Sequence, residues 1–195
     1  IRKQGKIPFL LGGEHTLSHW TLLALAEENP VVLHFDAHRD AKDEYMSMGV
    51  CHTTWVYNAL KGAGKKIDIV QIGIRQTDAK ENKFALGIGT TFYPLDIKNR
   101  FEEVNHWIAR KTKGRNVYIS FDIDVLDIPY TPCTGTPEPF GLTPEEVVEL
   151  FKAISPDANL IGVDMTEVAV KNNDFREATT AVQLLLRLFA RDCIK

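Results

Sequence analysis

Short apolar runs rich in β-branched and aromatic residues recur along the chain. They lie at IPFLL (7–11), VVLHF (31–35), IDIVQIGI (67–74), TTFYPL (90–95), NVYISF (116–121) and ANLIGVDM (158–165). Runs of this length and composition predict strands. Helical patterns fill most of the intervals. Residues 16–30 place Leu17, Leu22, Leu23, Leu25 and Ala26 at three- and four-residue spacing before Pro30 ends the run. Residues 101–114 put Phe101, Val104 and Ile108 on one face, flanked by Trp107, with basic residues and Gly114 at the end. At 143–154 the start signal is stronger: Thr143 as N-cap, Pro144 in the first turn and Glu146 three residues on form a capping box. A last helix is expected from about Arg176 to Arg191. Strands apolar throughout, alternating with helices, predict a three-layer α/β fold with a mostly parallel central sheet flanked by helices. The chain shows no repeat, low-complexity tract or linker, so residues 1–195 are expected to form a single domain.

Composition narrows the class. With 195 residues and 44% hydrophobic content the chain can bury one sizeable core. A net charge of −3, with Lys and Arg gathered only in short pairs such as Lys65-Lys66, gives no electrostatic basis for binding nucleic acid. Cys51, Cys133 and Cys193 include no pair at metal-ligand spacing, which argues against a disulfide scaffold or zinc ribbon and suits a reducing compartment. No apolar run reaches the length that spans a bilayer, and IRKQGKIPFL lacks the features of a signal peptide. A cytoplasmic location is the default expectation, with no membrane partner.

The candidate chemistry sits where apolar runs end. VVLHF leads into DAHRD, placing Asp36, His38 and Asp40 at alternate positions, so their side chains can converge on one side of extended backbone. NVYISF leads likewise into Asp122 and Asp124, with Asp127 three further on. In open α/β sheets ligands bind beyond the carboxyl ends of strands, which is where both groups fall. Carboxylates crowded in a cleft oppose one another's ionisation, and cations relieve that cost. Four or five carboxylates with a histidine suit two metal ions sharing bridging carboxylates better than one. Singly, each motif has a plainer reading. An Asp-x-Asp after a strand often caps a helix or forms a turn, and His15, in FLLGGEH after a Gly-Gly turn, could be a capping or packed histidine.

GGEH, DAHRD, SFDIDVLD and TGTPEP, in this order and approximate spacing, resemble the ureohydrolase family of arginases and agmatinases over essentially the whole chain. The resemblance implies an arginase-like fold and two Mn²⁺ per chain, which activate water to attack a guanidinium carbon and release urea. It implies that His15, Asp36, Asp40 and Asp122 hold one ion and that Asp36, His38, Asp122 and Asp124 hold the other, with Asp36 and Asp122 bridging. Asp40 would also orient the activated water. It assigns His52, in CHTT, as proton shuttle to the leaving amine, and Glu167, in DMTEV, as the carboxylate that pairs with the guanidinium. Taken alone, His52 reads as a surface-loop histidine and Glu167 as a solvated strand-end acid. His19 and His106 read as structural, and His34, which shares strand parity with Asp36, reads as core packing, with support of the metal-site residues as the alternative. Arg39 should point away from the metals by alternation.

The loop AKDEYMSMGV (41–50) carries Asp43 and Glu44, acids that would repel an α-carboxylate and attract an amine. Agmatine, cleaved to putrescine and urea, is therefore the expected small-molecule guanidino substrate. Arginine, guanidinobutyrate and formiminoglutamate are the alternatives within the family. The resemblance also implies a homo-oligomer, a trimer or hexamer. Three departures touch the pocket loops: Asp127-Ile128-Pro129 in place of an Asp-Pro pair, Cys133 and Phe140 in place of glycines around TGTPEP, and Thr53 after His52. The usual N-terminal section before GGxH is expected to be missing. Two readings from other classes stand beside this one: a non-catalytic metal-binding relative, and a haloacid-dehalogenase-type phosphatase built on FDIDVL.

Overall fold

The computed structural model describes residues 1–85 and 89–190. Six strands form one parallel sheet: β1 (Phe9–Leu11), β2 (Val31–Phe35), β3 (Asp68–Ile72), β4 (Gly89–Phe92), β5 (Asn116–Asp122) and β6 (Asn159–Thr166). Their spatial order is β1-β6-β5-β2-β3-β4, and every pairing is parallel. Helices α1 (Leu17–Leu25) and α2 (Trp55–Ala63) cover one face. The other face is covered by α4 (Pro94–Asn99), α5 (Phe101–Thr112), α6 (Pro144–Lys152) and α7 (Arg176–Phe189). A further helix, α3 (Ala79–Ala85), follows β3. Among the described residues no helix is long and apolar enough to cross a membrane.

Two apolar cores result, one on each side of the sheet, because each central strand is buried on both faces. Val31, Leu33 and Phe35 of β2 point into the α4–α7 side, joined by Ile119, Phe121, Leu150 and Leu184. Val32 points the other way, into a smaller core with Leu22, Leu25, Trp55 and Ala59. The predicted helical faces match this burial: Val104 and Ile108 of α5 are buried, and Phe101 and Trp107 pack at the margin.

Several expectations need correction. The run 90–95 does not remain a strand: β4 ends at Phe92, and Pro94 opens α4, where its missing N–H leaves nothing unpaired. The run 67–74 shortens to Asp68–Ile72, because Gly73 leaves the strand with a φ of 94°. Helices α3 and α4 are too short to show a helical period, whereas α2 carries an apolar stripe of Trp55, Val56, Ala59 and Ala63 that the expected elements omit. Arg191, the expected end of the last helix, lies outside the described residues, as does Cys193.

The sheet order fixes where a ligand can sit. From β2 the chain moves outward through β3 and β4, then returns to β5 on the opposite side of β2 and continues to β6. The reversal opens a crevice at the carboxyl ends of β2 and β5, the position favoured for ligands in such sheets. DAHRD and DIDVLD are the segments that leave those two strands.

The capping box at α6 forms as predicted. Thr143 accepts from the Glu146 N–H at 3.1 Å, and Glu146 accepts from the Thr143 N–H at 2.8 Å. Thr143→Ala should lower unfolding free energy by about 1 kcal/mol, and Thr143→Ser by far less. Urea denaturation measures both; equal stability of the alanine variant and wild type would contradict the assignment.

Candidate active site

Asp36 and Asp40 leave β2, and Asp122 and Asp124 leave β5, so four carboxylates meet at the crevice. All four are at least 95% buried. Each is held by an N–H. Asp36 Oδ1 accepts from the His38 backbone at 2.6 Å, Asp122 Oδ1 from the Asp124 backbone at 2.9 Å, and Asp124 Oδ1 from the Ala37 backbone at 3.0 Å. Asp40 Oδ2 accepts from the Trp55 indole at 2.8 Å. The plainer reading of the Asp-x-Asp motif is therefore also realised, since Asp122 caps the short turn that follows it. That cap uses one oxygen and leaves the other facing the crevice.

His15 enters from the loop after β1 and is fully buried. Its Nδ1 lies 3.2 Å from Asp36 Oδ2, 3.3 Å from Asp40 Oδ2 and 3.1 Å from Asp122 Oδ2, yet makes no hydrogen bond to any of them. Its Nε2 lies 2.9 Å from Ser120 Oγ, whose hydroxyl donates to Asp164 Oδ1 at 3.0 Å. With its hydroxyl proton so engaged, Ser120 accepts from His15 Nε2–H, so that in the neutral ring the Nδ1 lone pair is aimed at three carboxylate oxygens. His38 closes the other side, with Nδ1 2.9 Å from Asp124 Oδ2 and 3.5 Å from Asp36 Oδ1. Imidazole nitrogens within 3.5 Å of clustered carboxylates are a donor set that fits divalent cations, which would take the place of the protons the metal-free cluster holds.

The electrostatics agree. Burial, followed by the charges of Asp124 and Asp36, pushes the Asp122 carboxyl well above its ordinary range. Burial and the neighbouring Asp36 raise Asp40 to about 6. Burial opposes a charged His38, but hydrogen bonds and charge from Asp124 and Asp36 outweigh it and push the ring up to about 12. In His15 the same contest is won by Asp122, Asp36 and Asp40, and its pKa rises well above the usual value. Metal-free, the cluster retains protons; positive charge is what it lacks.

His38, Asp40, Asp122 and Asp124 floor a cavity of about 620 Å³, with His15 and Asp36 fully buried against them; its walls include His52, Glu167, Glu14, Glu138 and Lys42. His52 is half-exposed and held by Glu14, which accepts from its backbone N–H at 2.6 Å and lies 2.7 Å from its Nδ1. Glu167 has a φ of 60° and accepts from the His15 backbone N–H at 2.9 Å. Burial raises its carboxyl above the usual range, against the pull of that N–H. Asp40 is likewise left-handed, with a φ of 52°. Such backbone costs on the order of 1–3 kcal/mol and persists only where surrounding contacts fix it.

All the sequence-predicted site residues thus reach the crevice or the cluster beneath it, but one reading fails and one is refined. His34 is fully buried and packs against Trp55, and it also takes up the alternative role of support: its Nε2 lies 2.7 Å from Asp36 Oδ2, and Gln71 Nε2 lies 3.3 Å from its Nδ1. Asp43 and Glu44 do not line the cavity. Lys42 and Tyr45 turn into it, so the residues between them face an outer groove. The acids at the cavity wall are instead Glu14, Asp78, Glu81 and Glu138, and Lys42 is paired with Asp78 at 3.1 Å.

Sequence reasoning missed several supports. Arg75 donates to the carbonyls of Gly73, Asp124, Val125, Leu126, Glu138 and Pro139, tying the DIDVLD turn to TGTPEP. Fully buried Glu177 accepts from the N–H groups of Cys133, Thr134 and Ala169, at 2.8, 2.8 and 2.7 Å, and anchors the same loop beside Glu167. An arginine after a strand and an acid at a helix start carry no signal of the distant backbone groups that the fold brings to them.

Comparison with known proteins decides the family. A family model described as the arginase family matches residues 1–190. The chain belongs to the arginase family. It is 34% identical to an agmatinase of Bacillus anthracis, over 85% of this chain and 56% of that protein. It is 32% identical to an N(1)-aminopropylagmatine ureohydrolase of Thermus thermophilus, over 94% of this chain and 61% of that one. The agmatine ureohydrolase structure from Thermoplasma volcanium superposes with a TM-score of 0.81 at 29% identity, covering 97% of this chain and 64% of that one. This arginase-family chain therefore spans about three-fifths of the length of such relatives. Family membership displaces the phosphatase alternative.

Replacing Arg75 by methionine should cost about 3 kcal/mol or more, because several partly buried carbonyls lose their donor together. Arg75→Lys should recover little, since an ammonium cannot reach the same acceptors that the planar fork spans. Chemical denaturation of both variants tests this; a lysine variant as stable as wild type would contradict it.

Proposed function

We propose that this chain carries the catalytic centre of a binuclear manganese ureohydrolase that cleaves agmatine to urea and putrescine. One observation carries the reading. The unpartnered His15 Nδ1 faces three carboxylates at the floor of a cavity whose wall is rich in acids. Two bound divalent ions would supply a water ionised near neutral pH as nucleophile. His15, Asp36, Asp40 and Asp122 would hold one, and Asp36, His38, Asp122 and Asp124 the other.

The reaction is hydrolysis: a C–O bond forms at the guanidinium carbon, its bond to the alkyl nitrogen breaks, and that nitrogen leaves with a proton. Glu167 accepts the planar guanidinium through its carboxylate and so orients the carbon. His52 delivers the proton. Its Nδ1 is occupied by Glu14, which leaves Nε2 to face the leaving nitrogen. Asp40, fixed by the Trp55 indole, orients the water.

The substrate assignment rests on the wall. Asp78, Glu81 and Glu138 oppose Lys42, which Asp78 already neutralises. A second cationic group on the substrate is favoured there and a carboxylate is disfavoured. The relatives named for agmatine and N(1)-aminopropylagmatine support the same polarity.

Urea release by the purified chain with Mn²⁺ tests the proposal. Agmatine should exceed arginine and guanidinobutyrate by about tenfold or more in kcat/KM, the effect of ~1.4 kcal/mol. Faster turnover of either carboxylate-bearing substrate would overturn the substrate assignment, and no urea from any guanidine would overturn the activity. Glu138→Gln should raise KM for agmatine several-fold while metal content stays unchanged; an unaltered KM would remove Glu138 from substrate binding.

A further inference from the structure

One polar residue from each of five strands lines up across the sheet beneath the site. The strand registers pair Asp164 of β6 with Ser120 of β5, Ser120 with His34 of β2, His34 with Gln71 of β3, and Gln71 with Thr91 of β4. At one end of this row stands Arg39. Its guanidinium is buried, and its hydrogen-bond partners among the described residues are all neutral: Asn82 Oδ1 at 2.9 Å, Gln71 Oε1 at 2.7 Å, Thr91 Oγ1 at 3.0 Å and Tyr93 Oη at 2.8 Å. A buried cation given four neutral acceptors is an expensive arrangement, and it calls for a reason beyond packing.

The reason follows from donors and acceptors. A guanidinium can only donate, so the Gln71 atom facing Arg39 is the carbonyl oxygen, and the side-chain NH₂ faces the other way. Its two hydrogens go to the Arg39 backbone carbonyl at 2.9 Å and to His34 Nδ1 at 3.3 Å. His34 Nδ1 therefore accepts, and the ring carries its proton on Nε2. That proton points at Asp36 Oδ2, 2.7 Å away, the same oxygen that lies 3.2 Å from His15 Nδ1. We infer that Arg39 and Gln71 are positioning residues that fix the His34 tautomer, and that His34 through Nε2–H sets the orientation of Asp36. His34 is thereby a support for the carboxylate and no metal ligand, although it lies among the buried groups that could hold one. The relevance to metal rests on the proposed function; the tautomer does not.

The test uses the full chain labelled with ¹⁵N. Long-range ¹H–¹⁵N spectra distinguish the two imidazole tautomers, with His34 assigned by its missing signals in His34→Gln. Wild type should show His34 protonated on Nε2 and bare on Nδ1. Gln71→Met and Arg39→Met should lose that single-tautomer signature and weaken Mn²⁺ binding, read by calorimetric titration, by about tenfold or more. Arg39→Lys should restore the signature in part, because an ammonium can still donate to Gln71 Oε1. Protonation of His34 on Nδ1 in wild type would overturn the inference. So would a Gln71→Met protein that keeps both the tautomer and the Mn²⁺ affinity. If wild type binds no Mn²⁺, the metal reading fails and the tautomer spectrum still judges the relay. If the methionine variants do not fold, the wild-type spectrum and Arg39→Lys decide.

Discussion

Four buried carboxylates at the ends of two adjacent parallel strands are the constraint on which this structure depends. Asp36 and Asp40 follow β2, Asp122 and Asp124 follow β5, and the sheet order opens a crevice between those strands. Unpaired anions there would cost several kcal/mol each. The protein answers by pinning one oxygen of each carboxylate with an N–H and leaving the remaining lone pairs to face a common space. The raised pKa values of Asp40, Asp122, His15 and His38 express the same need for positive charge.

The supports are as specific as the ligands. Ser120 and Asp164 orient His15 from below, Trp55 holds Asp40 from the α2 side, and Arg75 and Glu177 lock the turns that form the far wall. Most of these contacts span large sequence separations, between elements that the parallel sheet brings into register. This is how a fold converts a set of loop residues into a site held to fractions of an ångström. It also explains why polar side chains interrupt strands that are otherwise fully apolar.

Much of this was legible in the sequence. The apolar runs placed all six strands: β2, β3, β5 and β6 have the continuous signature of strands buried on both faces, and the exposed edge strands β1 and β4 are apolar or β-branched enough to show as well. Period-two spacing placed Asp36, His38 and Asp40 on one side, and the Thr143–Glu146 box located the start of α6. Other features were not legible. The sequence left His34 between packing and support, because its partner Gln71 is 37 positions away and only the strand register reveals the pair. Asp43 and Glu44 looked like pocket acids because a loop's facing cannot be read from its composition. The acids that do line the cavity, Asp78, Glu81 and Glu138, come from two distant segments. The short helices α3 and α4 lack a long apolar stripe and depend on tertiary packing, while the stripe of α2 (Trp55, Val56, Ala59 and Ala63) is present in the sequence but absent from the expected elements.

The most direct test of the central claim is anomalous diffraction from crystals of this chain grown with Mn²⁺. Two manganese peaks are predicted in the crevice, with Asp36 and Asp122 touching both, His15 and Asp40 touching one, and His38 and Asp124 the other. A single ion, or ions held elsewhere while these carboxylates stay unligated, would contradict the account.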